Sequence, residues 1–147
     1  MACTSLQTKS KEDVTAKVNF DWLVGNWERI NNSKGKLTYE KWEKIEIDEH
    51  NFEYKGLGFT LNGVDTIFKE ELRIFAFDNG WIYEVIGVNP EPTNFVFSTY
   101  TDTSFVCNNE LNDFPKEIAY HLHKDMLVAI VSGDKNKLEF EFQRDSN

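Results

Sequence analysis

At 147 residues the chain is long enough for one domain with a single core and short for two. Its hydrophobic content of 40% is weighted toward large rings, with 12 Phe, 5 Tyr and 4 Trp, which suits strands better than helices. The 16 basic and 25 acidic side chains leave a net charge of −9, which opposes binding to nucleic acid or anionic membrane surfaces, and no apolar run approaches the roughly 18 residues of a membrane-spanning helix.

The chain begins MACTSLQTKSKEDVT. Small Ala2 precedes Cys3 and a polar tail follows, which reads as the start of a bacterial lipoprotein after its apolar signal segment has been cut away. On that reading Cys3 carries the lipid, residues 1–16 form a disordered tether, and residues 17–147 form the folded domain. The expected location is the cell envelope, outside the cytoplasm, with the membrane touched only through the anchor. Val14, Val18 and Trp22 recur every four residues, which predicts a short helix from about Glu12 to Leu23, ended by Gly25.

From Asn26 onward, nearly every segment alternates or is rich in aromatic and β-branched residues. Strands are expected near residues 26–31, 37–47, 51–61, 64–77, 80–88, 94–101, 103–108, 117–123, 126–133 and 137–143. Ser33-Lys34-Gly35, Asp48-Glu49-His50, Asn62-Gly63, Asp78-Asn79-Gly80 and Ser132-Gly133-Asp134 supply the turn chemistry between them. Most of these connections are short, giving an up-and-down order. About ten strands in that order are most economically accommodated by closing the sheet, which removes its exposed edges. Cys107 sits near a strand end and is expected to be a buried free thiol; a disulfide to Cys3 would require the tether to fold back.

Within FDWLVGNWE, the sequence Gly25-Asn26-Trp27 follows the expected helix and opens the first strand. It resembles the pattern of lipocalins and other calycins, in which the tryptophan plugs one end of the barrel. A longer ordered set of elements adds YEKW at Tyr39 to Trp42, GLGF at Gly56 to Phe59 and EELRI at Glu70 to Ile74. It continues with Ile82-Tyr83, PTNF at Pro92 to Phe95 and NDFPKEIAY at Asn112 to Tyr120. Over roughly residues 20–143 this set resembles a bacterial lipocalin-like family of unassigned function, often exported as lipoproteins. The resemblance implies recurring polar positions at Glu40, Glu70, Arg73, Asn109 and Asp113, accompanied by Trp42, Tyr83, Phe114, Pro115 and Tyr120. Glu71 departs from the pattern, which more often has an apolar residue there. The fold class expected is all-β: one antiparallel, up-and-down, lipocalin-like barrel with a short N-terminal helix.

Alternation tests these positions independently. Along VDTIFKEELRIFA, Glu70 shares a face with Thr66, Phe68, Leu72 and Ile74, so it points inward, and Arg73 falls on the outer face unless a bulge turns it. In LTYEKWEKI, Glu40 shares a face with Thr38, Trp42 and Lys44, and the tryptophan argues that this face is also inward. Two carboxylates would then project into one enclosed space, where each must be paired, protonated or hydrated. A glutamate there can contact a ligand, hydrogen-bond Tyr83 or Tyr120 to fix the register, or serve as an acid or base. Asn109 and Asp113 lie on a connection at the barrel mouth, where binding residues and turn-forming residues are equally at home. His121 and His123 have metal-ligand spacing on one strand face, but Ile118, Tyr120 and Leu122 make the better inward face, so no metal or other cofactor is expected.

The leading expectation is an interior that binds a small apolar or amphipathic molecule, with Glu40, Trp42, Glu70, Arg73, Tyr83, Asn109, Asp113 and Tyr120 as candidate ligand-binding residues. Two alternatives stay open: an envelope protein that acts through its surface without a cavity, and an acid/base isomerase or lyase using Glu70.

Overall fold

A computed structural model describes residues 18–145; the tether and Cys3 lie outside the described residues. Ten strands follow a single 3₁₀ turn at Asp21–Leu23. They are β1 (Gly25–Arg29), β2 (Lys36–Glu46), β3 (Phe52–Asn62), β4 (Asp65–Phe77), β5 (Gly80–Ile86), β6 (Thr93–Tyr100), β7 (Ser104–Asn108), β8 (Glu117–His123), β9 (Met126–Ser132) and β10 (Lys137–Arg144). Each pairs antiparallel with the next, and β1 pairs with β10 through Trp27↔Arg144, Glu28↔Gln143 and Arg29↔Phe142, which closes the barrel. Closure leaves no edge strand among the described residues to template association.

The expected N-terminal helix is corrected. Among the described residues only the 3₁₀ turn forms, held by Leu23 N–H to Phe20 O and Val24 N–H to Asp21 O. Tertiary packing overrides the four-residue spacing: the fully buried side chains are Phe20 and Leu23, three apart, and Trp22 is only half-buried. Gly25, at φ +140°, then turns the chain into β1.

This turn caps one end of the barrel. Phe20 inserts among the rings of Tyr54, Trp81, Phe97, Tyr100 and Phe105, all edge-on with centroids 5.0–6.0 Å away. Tyr54 Oη accepts the Phe20 N–H at 2.8 Å and donates to Asp21 Oδ1 at 2.6 Å, anchoring the turn to β3. Trp27 is fully buried beneath it, and its Nε1 donates to Leu23 O at 2.8 Å. The Arg144 guanidinium lies 4.3 Å from the Trp27 ring centre and donates to Val24 O, sealing the seam where β1 meets β10.

Two irregularities shape the wall. In β3–β4, Thr60 pairs with Phe68 and Leu61 with Thr66, so Ile67 is an additional residue and both Ile67 and Phe68 reach the interior near its opening. The bulge falls before Arg73 in β4, which keeps its outward orientation. Gly56 makes room for a ring: it sits opposite Trp42, and a methyl group there would lie 2.8–2.9 Å from three indole carbons. Gly56→Ala should therefore destabilise the barrel by about 1–3 kcal/mol through overpacking. Urea denaturation checks this, and an unchanged midpoint would show that Trp42 has space to move.

Candidate functional site

The connections β1–β2, β3–β4, β5–β6, β7–β8 and β9–β10 gather at the end opposite the 3₁₀ turn. A cavity of about 530 Å³ opens there, reaching from Asn32, Asn89 and Phe114 at the rim down to Glu40, Glu70, Tyr83 and Tyr120. Inward positions of successive strands form its wall, among them Val85, Phe95, Ile118, Ala129, Val131 and Phe140. Below the four polar residues, the aromatic packing around Phe20 and Trp27 leaves the barrel filled.

The floor is built by strand register. Glu40 of β2 pairs with Gly58 of β3, and Gly58 pairs with Glu70 of β4, so the two carboxylates lie on either side of a residue with no side chain. A methyl group on Gly58 would lie 3.3 Å from Glu70 Cγ and Oε1 and 3.8 Å from Glu40 Cγ. Gly58 thus supplies the space the two carboxylates occupy.

Glu40 is buried and well provided with donors. Its Oε1 accepts from Trp42 Nε1 at 2.8 Å and from Tyr120 Oη at 2.9 Å, with Oε2 3.1 Å from the same hydroxyl. Tyr83 Oη lies 3.0 Å from Tyr120 Oη. Tyr120 has one hydroxyl hydrogen, and with that directed at Glu40 the Tyr83 hydroxyl donates to Tyr120. The result is a chain from Tyr83 through Tyr120 to Glu40. Glu70 differs: among the described residues it has no hydrogen-bond or ion-pair partner, and its carboxylate faces the cavity.

Burial pushes the Glu40 carboxyl up to about 7, against the opposing effect of the Trp42 and Tyr120 hydrogen bonds. Burial, reinforced by the charge of Glu40, also pushes Glu70 up to about 7. Donors favour ionised Glu40 and none favours ionised Glu70, so the first proton taken up by the pair resides on Glu70. Both tyrosines are raised well above their usual range, chiefly by burial and then by Glu40, and remain neutral donors.

The other sequence candidates separate cleanly. Trp42 lies below the cavity and orients Glu40 through its indole N–H. Arg73 is on the outer wall, as alternation requires: it donates to Glu53 Oε2 at 2.7 and 3.0 Å, approaches Glu84 at 3.7 Å and stacks on Phe75. The hydrogen bond to Glu53 holds the Arg73 guanidinium above its usual range, so Arg73 is committed away from the interior. Asn109 ties its loop together by donating to Asn94 O and accepting from Leu111 N–H. Asp113 is exposed outside the cavity lining, whereas neighbouring Asn112 lines it and donates to Pro115 O. Phe114 packs against Gly133, bridging two loops at the mouth. Cys107 is a buried free thiol directed at Ile118 O; the disulfide considered with Cys3 lies outside the described residues. His121 and His123 are exposed, and no cluster of three or more metal-ligating side chains occurs among the described residues.

Sequence reasoning put Thr38 on the inward face without naming it as a site residue, and it missed Gly58, Arg29, Thr60 and Asn112. Thr38 and Thr60 hydrogen-bond each other at 2.9 Å in the cavity wall, a pairing that follows once Glu40 is aligned with Gly58. Arg29 reaches the lining from the end of β1, where its guanidinium lies 4.3 Å from the Phe140 ring centre and donates to Asn31 Oδ1 and Glu139 O. Compared with protein-family models, curated proteins and solved structures, the chain matches none of them.

Proposed function

We propose that this protein binds a small apolar or amphipathic molecule inside its barrel. The carrying observation is the cavity of about 530 Å³, capped at one end, open at the other, walled by apolar side chains and floored by four convergent polar groups. That combination is the usual composition of a ligand site, in which apolar area supplies affinity and a few polar groups fix orientation. Such a volume gives less support to a barrel that acts through its surface alone. Lipidation of Cys3 and a place in the bacterial cell envelope, as in the lipocalin-like proteins the sequence resembles, complete the proposal.

Native mass spectrometry after incubation with a bacterial envelope extract tests the binding. A discrete adduct is expected on the wild-type chain and not on Ala129→Phe, whose added ring fills the cavity from β9. An adduct that persists on the filled variant places the ligand elsewhere and ends this reading. A second reading, proton transfer on a bound substrate, is favoured by the two carboxyls held up to about 7. It requires that Glu70→Gln abolish turnover of the bound molecule while the adduct persists.

A further inference from the structure

Among the described residues, the acidic floor of the cavity has no basic partner. Glu40 and Glu70 flank Gly58, and among the described residues neither forms an ion pair. Among the described residues, the cations that reach the cavity are Arg29 and Lys36, which come from the mouth end of β1 and β2. Arg29 is already engaged by Asn31, Glu139 and the Phe140 ring.

The hydrogen-bond inventory of the floor is equally one-sided. The Trp42 N–H and the Tyr120 hydroxyl hydrogen are spent on Glu40, and the Tyr83 hydroxyl hydrogen on Tyr120. What remains to meet a ligand is acceptor capacity: both oxygens of Glu70, the second oxygen of Glu40 and the lone pairs of Tyr83. With both carboxyls ionised, as at pH 8, a carboxylate or phosphate head would find repulsion and, among the described residues, no donor on the floor. A neutral hydroxyl could satisfy one acceptor. An ammonium brings three donors and a positive charge, and hydrogen bonds between ionised partners are roughly twice as strong as neutral ones.

We propose that the cavity takes an amphipathic amine head first, its ammonium held between Glu70 and Glu40 and its apolar chain running along Phe95, Ile118 and Val131 toward the mouth. The Tyr83 and Tyr120 rings beside the floor add a face for the cation, and the net charge of −9 attracts such ligands over others at a distance. This assignment rests on the interior-binding reading above and specifies the ligand's polar end.

Isothermal titration calorimetry at pH 8 with decylamine, decanol and decanoate, equal in chain length and different in head group, tests it. The amine should bind roughly tenfold or more tighter than the alcohol, with the carboxylate weakest. Glu70→Gln should cost the amine roughly tenfold and leave the alcohol within about twofold. Glu40→Gln provides a second variant should the first fold poorly. If the alcohol or carboxylate matches the amine, or if amine binding ignores both substitutions, the head-group assignment is overturned while interior binding stands. If none of the three binds, interior binding falls with it.

Discussion

Trp27→Ala will leave the barrel about 3–5 kcal/mol less stable, the usual cost of removing a large buried ring from a core. For a domain whose total stability is of order 5–15 kcal/mol, this is a large fraction. The loss has several parts. The ring is fully buried under Phe20 and Leu23; its N–H satisfies Leu23 O, which would be left without that donor; and Arg144 would lose the surface it lies on at the β1–β10 seam. Trp27 also pairs across strands with Glu40, so its removal opens the cap toward the carboxylate floor. Trp22, five residues earlier, is the control: it is half-buried and its Nε1 has no partner among the described residues, so Trp22→Ala should cost clearly less. Guanidinium denaturation of both variants measures the difference. Equal losses, or a Trp27 loss under about 1 kcal/mol, would mean that the 3₁₀ turn and not the indole holds this end shut.

Much of this architecture is legible in the sequence because a strand announces itself locally. Alternation and turn residues place all ten strands near their observed bounds, and alternation puts Glu40, Glu70 and Tyr120 inside and Arg73 outside, whereas Tyr83 is named only through the family resemblance. The helix was misread because Val14, Val18 and Trp22 have helical spacing, while the decisive event is non-local: Phe20 finds an aromatic socket built from β3, β5, β6 and β7. The juxtaposition of the two glutamates is also non-local. It requires the registers of two successive hairpins, which bring Gly58 opposite both. Loop residues carry least, since no period dictates where a side chain on an irregular connection points. Asn109 and Asp113 look as suited to the mouth as Asn112, yet only Asn112 lines the cavity.

The floor should make the fold sensitive to pH in an unusual direction. Both carboxyls move from an ordinary value of 4.5 to about 7 on folding, so between those values the unfolded chain releases protons that the folded chain keeps. Stability from this pair is therefore full below about pH 4.5, falls as pH rises through 7 and levels off above it. Paired surface carboxylates usually act in the opposite sense. Glu70→Gln isolates the effect, because glutamine keeps the shape and cannot ionise beside Glu40. At pH 8 this variant should be more stable than wild type by roughly 1–3 kcal/mol, and at pH 5 the gap should shrink to about a few tenths. Thermal or urea melts of the two proteins at both pH values measure it. A gap that does not change with pH, or a variant that is weaker at pH 8, would mean that Glu70 has a compensating partner when ionised. The expected result has a further consequence: at pH 8 the empty cavity holds an uncompensated charge, so a cation seated there removes a cost that the folded chain otherwise carries.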